Sequence, residues 1–98
     1  MKIMVLHKET NLFQTDLNST YKEILPFTEF ESLESVFSLC QNDNPNSINP
    51  PKTRSLSVGD LLVVNENDHY IFYVVDSFSM EKIKDSLASG IMSRIKWL

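Results

Sequence analysis

Glycine and cysteine are scarce in this chain of 98 residues, which contains two glycines and one cysteine. Because Gly59 and Gly90 are the only glycines, neither of the common glycine-rich phosphate-binding loops can be built from this sequence. The single cysteine, Cys40, excludes an internal disulfide and fits a reducing compartment, so we expect a cytoplasmic protein.

Positive charge and long apolar runs are also lacking. Nine lysine and arginine residues stand against thirteen aspartate and glutamate residues, which gives a formal net charge of −4. The overall basic charge of a nucleic-acid binder is absent, so we expect no direct nucleic-acid partner. No apolar run approaches the roughly 20 residues of a membrane-spanning helix, and residues 1–8 are too brief and too soon charged for a signal peptide. We therefore expect no membrane partner.

Side chains that could perform catalysis or bind a metal are scattered along the sequence. His7, His69 and Cys40 are isolated from one another, whereas a metal site needs clustered ligands. Asp60 and Asp76 form a possible carboxylate pair, but both fall in predicted turns. We therefore expect no enzyme, no catalytic or metal-binding residue and no cofactor.

The densest apolar stretch of the chain predicts a β-hairpin over residues 61–75. Residues 61–64 and 70–75 are rich in β-branched and aromatic side chains and are each too short for a typical helix. The polar segment 65–68 between them is typical of a tight hairpin connection. Neither run alternates between apolar and polar residues, which indicates central strands with both faces covered.

Polar turn residues flank this hairpin. Ser55, Ser57 and Asp60 are short side chains of the kind that usually bond to backbone groups, so they are predicted to fix a loop. Gly59 permits a positive φ angle at the entry to the first strand. Asp76 is predicted to cap or turn the chain after the second strand. The alternative is that these side chains contact a ligand or a partner.

One main helix is predicted over about residues 29–41. Its apolar side chains fall at i, i+3, i+4 and i+7 and form one face: Leu33, Val36, Phe37 and Cys40. Thr28 and Glu31 have the spacing of a capping box, although Ser32 could cap a shorter helix.

A short C-terminal helix is predicted over residues 79–89, with Ser79 as a possible N-cap and Gly90 just after its end. The tail of residues 91–98 is apolar but fits neither the helical nor the strand period, so both alternatives stay open. It either completes the core or forms an exposed anchor, since Arg94 and Trp97 are residue types enriched among binding hot spots.

Strands at residues 2–8 and 21–25, the latter ended by Pro26, complete the predicted sheet. We expect an α+β fold with a small antiparallel sheet of about four strands around the central hairpin. The sheet packs against the main helix of about 29–41 and the short C-terminal helix. Residues 1–98 are expected to form a single domain.

The sequence RSLSVGD, followed after the hairpin by YVVDSF, resembles the YodL-like domain of phage and other mobile DNA. The resemblance covers residues 20–83, and it departs from the family at Ser79 and Met80, where a glycine and an aromatic residue are usual. The family has no established activity. Membership implies a mobile-element protein in a bacterial host cell, where short accessory proteins often act against host defences or regulators.

Three acidic residues, Glu29, Glu31 and Glu34, fall near the predicted start of the main helix. The structural interpretation is that they complement the helix dipole and keep the surface charged. The functional interpretation is an acidic edge that imitates nucleic-acid phosphates and occupies the basic groove of a host-defence enzyme. With the resemblance, this predicts an anti-CRISPR or antirestriction inhibitor that binds a host protein.

A non-enzymatic assembly or regulatory module is the alternative function. The apolar tail of residues 91–98 would then support self-association, so a homodimer is a possible partner state. Whether the polar loop of residues 41–52 becomes ordered on binding stays open.

Overall fold

The computed structural model describes residues 1–77 and 79–98. Phe78, the last residue of the DSF triplet, lies outside the described residues. Within those ranges the chain has an α+β fold with one mixed sheet of six strands and two helices. The elements in chain order are β1 (Lys2–Lys8), β2 (Tyr21–Glu29), α1 (Leu33–Leu39), β3 (Leu61–Glu66), β4 (His69–Val75), β5 (Met80–Lys82), α2 (Asp85–Met92) and β6 (Ile95–Lys96).

The strand order across the sheet is β5-β4-β3-β1-β2-β6. Neighbouring strands are antiparallel except β2 and β6, which are parallel, with Tyr21 opposite Ile95. The prediction of about four antiparallel strands was therefore wrong. The two additional strands have three and two residues, too few to show any periodicity in the sequence.

The central hairpin of β3 and β4 has a two-residue turn at Asn67 and Asp68. Their φ angles are +50° and +65°, the left-handed values that a type I′ turn requires at both positions. The Asn65 side-chain oxygen accepts a hydrogen bond of 3.0 Å from the Asp68 N–H. This turn fixes the register of the strands at the centre of the molecule.

Both faces of the sheet are covered, so the molecule has two apolar cores. On β1, Ile3 and Val5 face the side covered by α1, whereas Met4 and Leu6 face the side covered by α2. Successive side chains of a strand point to opposite faces, and here both faces of the sheet are buried from solvent. The apolar runs of β1 and β3 are continuous for this reason.

The first helix is the shorter alternative that Ser32 caps, and not the longer helix of about residues 29–41. It begins after Ser32, whose hydroxyl accepts the Ser35 N–H while the Ser35 hydroxyl accepts the Ser32 N–H, both at 3.1 Å. The prediction of a helix over about residues 29–41, with a capping box of Thr28 and Glu31, was wrong because β2 continues through Pro26 as far as Glu29. A register shift between β1 and β2 beside Pro26 accommodates a residue that has no N–H to donate.

The C-terminal elements also differ from the prediction. Residues 79–89 are not one helix: β5 occupies Met80–Lys82, and α2 begins only at Asp85. Gly90 lies inside α2 and not after its end. The tail of residues 91–98 contains both helix and strand: its first two residues end α2, and residues 95–96 form β6. Neither described helix is long and apolar enough to cross a membrane.

Candidate functional site

Asp60 is the centre of a buried polar cluster. Its side chain is fully buried, and the Arg54 guanidinium binds both carboxylate oxygens, at 2.6 and 2.7 Å. The backbone N–H groups of Lys8 and Ser57 donate to the same carboxylate, at 2.8 and 2.9 Å. The charge of Asp60 is therefore paired and its oxygens are occupied by bonds within the protein.

Gly59 brings the same turn against the segment that follows β1. Its φ angle is +95°, and a Cβ atom here would overlap the carbonyl oxygen of Gln14. The buried Lys8 ammonium donates to that carbonyl at 2.8 Å and to the Asp16 carboxylate at 2.6 Å. The hydrogen bond from Lys8 lowers the pKa of Asp16. The turn, β1 and the connection to β2 are thus joined by polar contacts.

Ser55 and Asp76 occupy different environments. The Ser55 hydroxyl accepts a hydrogen bond of 2.8 Å from the Asn42 N–H and so ties the polar loop to the turn. Asp76 is exposed, and its carboxylate accepts the N–H of Ser77 at 2.7 Å. The structure brings Ser57, Gly59 and Asp60 together and leaves Asp76 at the surface.

His7 and Cys40 are buried, in separate places. The His7 Nε2 atom has no hydrogen-bond partner and lies 4.0 Å from an Asp60 oxygen. Burial lowers the pKa of His7 to about 4, and burial raises the pKa of Cys40 to about 11. His69 is exposed at the tip of the hairpin. In the part of the chain that the structure describes, no three His, Cys, Asp or Glu side chains gather as a metal site would require.

The three predicted acidic residues are all exposed, but their surroundings differ. Glu29 ends β2 and accepts a hydrogen bond of 2.8 Å from the amino group of Met1. This bond lowers the pKa of Glu29. Glu31 lies between β2 and α1, and Glu34 lies in the first turn of α1. Neither of these two carboxylates has an ion-pair partner among residues 1–77 and 79–98.

Two surface depressions flank α1 and separate these carboxylates. The first, here called the β2–α1 groove, has a volume of about 550 Å³ and includes Glu29 and Glu31. The second, here called the α1–β5 pocket, has a volume of about 230 Å³ and includes Glu34. Both have largely apolar walls. The single acidic edge expected from the sequence is thus two acidic surfaces on either side of one helix.

The α1–β5 pocket pairs acidic residues with apolar ones. Glu34 and Asp76 both line it, 42 positions apart in sequence, together with Phe37, Val75 and Met80. Sequence reasoning missed this association because the residues come from α1, β4 and β5. Phe37 is 37% exposed and points partly into this pocket, not wholly into the core.

The two tail residues singled out in the sequence have different positions. The Arg94 guanidinium donates to the backbone carbonyls of Leu17 and Ser19, so it fastens the tail to the connection before β2. Trp97 is 52% exposed and Leu98 is 74% exposed, beyond the end of β6. Within the tail of residues 91–98, Trp97 and Leu98 are the exposed large apolar side chains.

These features define a small α+β protein with a buried polar turn and two acidic, apolar-walled depressions beside one helix. The family model of the YodL-like domain matches residues 2–85, and the chain belongs to this family. The resemblance seen in the sequence is confirmed. The matched range includes both depressions and ends at the first residue of α2. No curated protein and no solved structure matches the chain.

Proposed function

We propose that this protein is a mobile-element accessory protein of the bacterial cytoplasm that binds and inhibits a host-defence nuclease of the anti-CRISPR or antirestriction type. It acts by docking on the basic nucleic-acid channel of that nuclease and catalyses no reaction. The partner is a protein with a basic groove, and no cofactor takes part.

The unneutralised carboxylates beside α1 carry this proposal. Glu31, Glu34 and Asp76 are exposed, and no lysine or arginine is among the described residues that line either depression. Opposite charge accelerates encounter with a basic groove, and an acidic surface competes with phosphates for lysine and arginine. The apolar walls add contact area that a purely charged surface would lack.

Transformation of bacteria that carry one defence system tests the proposal. Strains with a restriction enzyme or with an RNA-guided nuclease receive a plasmid that their system cleaves. We expect expression of this protein to raise the transformation efficiency by about tenfold or more in at least one strain, because a blocked channel cannot bind DNA.

A charge-reversal variant with a matched control makes the test specific. Glu31→Lys, Glu34→Lys and Asp76→Lys together should remove the gain in transformation. Glu29 is left unchanged because it binds the Met1 amino group. The control reverses three exposed carboxylates elsewhere and has the same net charge: Asp43, Glu66 and Asp85. No gain in any strain, or equal loss with both variants, overturns the proposal.

The exposed end of the tail favours a second candidate function, a non-enzymatic assembly module. Trp97 and Leu98 lie next to β6, which forms one edge of the sheet. Exposed apolar side chains beside an open strand edge are typical of self-association surfaces.

A further inference from the structure

The outer edge of β2 is open along most of its length. The strand has nine residues, but β6 pairs only with Tyr21 and Lys22. Residues 23–29 have β1 on one side and no strand of the described chain on the other. An unpaired edge presents backbone N–H and C=O groups to any extended segment that approaches it.

Pro26 lies within this open part of β2, between residues 23–25 and residues 27–29. Proline has no N–H to donate, and the Thr28 hydroxyl donates to the Pro26 carbonyl at 2.8 Å. The interruption protects against continuous sheet-to-sheet aggregation. It leaves residues 27–29 as a separate stretch of edge beyond the proline.

The β2–α1 groove begins where this stretch ends. Its walls include the apolar side chains of Phe30, Leu39 and Ile48, and Ile48 is 40% exposed. A strand added beside β2 would direct every second side chain to the face of the sheet that α1 covers. Those side chains would enter the groove.

We propose that the edge of β2 at residues 27–29 and the β2–α1 groove together form a strand-addition site for an extended, basic segment of a partner protein. Backbone pairing supplies affinity, and the groove selects the alternate side chains. The inference concerns how a partner segment binds and holds whether or not that partner is a nuclease. It therefore goes beyond the proposed function.

Charge selects the basic occupant. The charge of Glu29 is balanced by the Met1 amino group and by Lys2 on the paired strand, whereas Glu31 has no ion-pair partner among residues 1–77 and 79–98 and brings an unbalanced negative charge to the groove. A lysine or arginine segment places its aliphatic stem on the apolar wall and its charge near Glu31. A second copy of this chain has a net charge of −4 and so brings no excess of positive charge to Glu31.

Nuclear magnetic resonance titration with a synthetic peptide tests the site. The probe is a heptapeptide of alternating valine and lysine, and the matched control peptide has glutamate in place of lysine. We expect the lysine peptide to shift the backbone amides of residues 27–29 most, and the methyl signals of Leu39 and Ile48. The glutamate peptide should bind at least about tenfold more weakly, because its charges are repelled.

Three variants separate the contributions of charge and apolar contact. Glu31→Lys should weaken binding of the lysine peptide by about fivefold, as expected for an exposed charge pair. Ile48→Ser should weaken it by a similar factor, since Ile48 is only partly exposed. Glu81→Lys makes the same charge change on β5, at the opposite edge of the sheet, and should leave binding unchanged.

Three results would overturn the proposal. The first is the absence of amide shifts with the lysine peptide at millimolar concentration. The second is shifts confined to the β5 edge or equal for both peptides. The third is a shift of the amide signals of residues 27–29 when the protein is diluted without peptide. That result would mean that the edge binds a second copy of this chain. Circular dichroism of each variant confirms that its fold is retained.

Discussion

At the scale of single residues, the structure concentrates buried polar groups where β1 meets the turn before β3. The Asp60 carboxylate is fully paired, whereas the neighbouring His7 Nε2 has no hydrogen-bond partner. Burial disfavours the charged form of this imidazole more than the nearby Asp60 carboxylate favours it, and the Arg54 guanidinium also disfavours it, so the pKa of His7 is lowered. His7 is therefore one residue, besides Asp16 and Glu29, through which a fall in pH should destabilise this fold.

We expect His7 to make the protein less stable as the pH falls from about 7 to about 4. Burial lowers its pKa from 6.5 to about 4 in the folded state, so between those values the unfolded chain binds a proton that the folded chain does not. The free energy of unfolding should fall over this window by up to about 3 kcal/mol from this residue. Urea unfolding at several pH values measures it.

His7→Gln should lose less stability than the wild type over the same pH window, because glutamine does not titrate. The carboxylates Asp16 and Glu29, whose pKa values are lowered, contribute equally to both proteins. His69→Gln is the control, since His69 is exposed. Identical pH profiles of wild type and His7→Gln would contradict the prediction.

The sequence indicated the turn role of Asp60 but not its partners. Lys8 lies 52 positions from Asp60, and its contact with Asp60 exists only because β1 pairs with β3. Arg54 could have been suspected, as it is six residues before Asp60 across a glycine turn. Side-chain pairing across distant segments depends on sheet order, which local patterns do not contain.

At the scale of elements, the two glycines make a matched pair. Gly59→Ala should destabilise the protein by at least about 2 kcal/mol, because alanine is strained at φ +95° and its Cβ overlaps the Gln14 carbonyl. Gly90→Ala should instead stabilise it by about 0.5–1 kcal/mol, because Gly90 lies within α2.

Thermal and urea unfolding of the two glycine variants test this contrast. Space is available at Gly90, where the nearest atom to a Cβ would be the Arg94 guanidinium, at 3.8 Å. A loss of stability in Gly90→Ala, or none in Gly59→Ala, would contradict the assignment of these two positions.

Prediction of elements from the sequence succeeded where apolar runs are long. The hairpin strands and β1 were found because both of their faces are buried. The capping box assigned to Thr28 failed because Thr28 pairs with Ile3 in the sheet, and tertiary pairing overrides local capping signals. The strand β6 has two residues and exists only through its contact with β2.

At the scale of the whole molecule, the sequence predicted the acidic surface but not its division. Glu29, Glu31 and Glu34 are close in sequence, yet α1 places Glu34 beside a different depression from the other two. The groove walls come from three separate segments, including Ile48 of the polar loop. Such a surface is specified by the packing of α1 on the sheet.

The tail provides a test of self-association at the same scale. Deletion of Trp97 and Leu98 should leave the fold intact, because both residues are exposed and follow the last strand. If the tail forms a dimer, light scattering should show a dimer for the intact chain and a monomer after deletion. A monomer mass that does not change up to about 1 mM would exclude this candidate.

The burial of Cys40 has a practical consequence. Its thiol lies in the core under α1, with no exposed surface and a pKa raised to about 11, and it is the chain's single cysteine. In the closed structure the thiol is protonated, poorly reactive and out of reach of a thiol reagent. The reagent can reach it only when that core opens. The rate of labelling at Cys40 therefore reports how often α1 lifts from the sheet, in the wild-type protein and without an introduced probe.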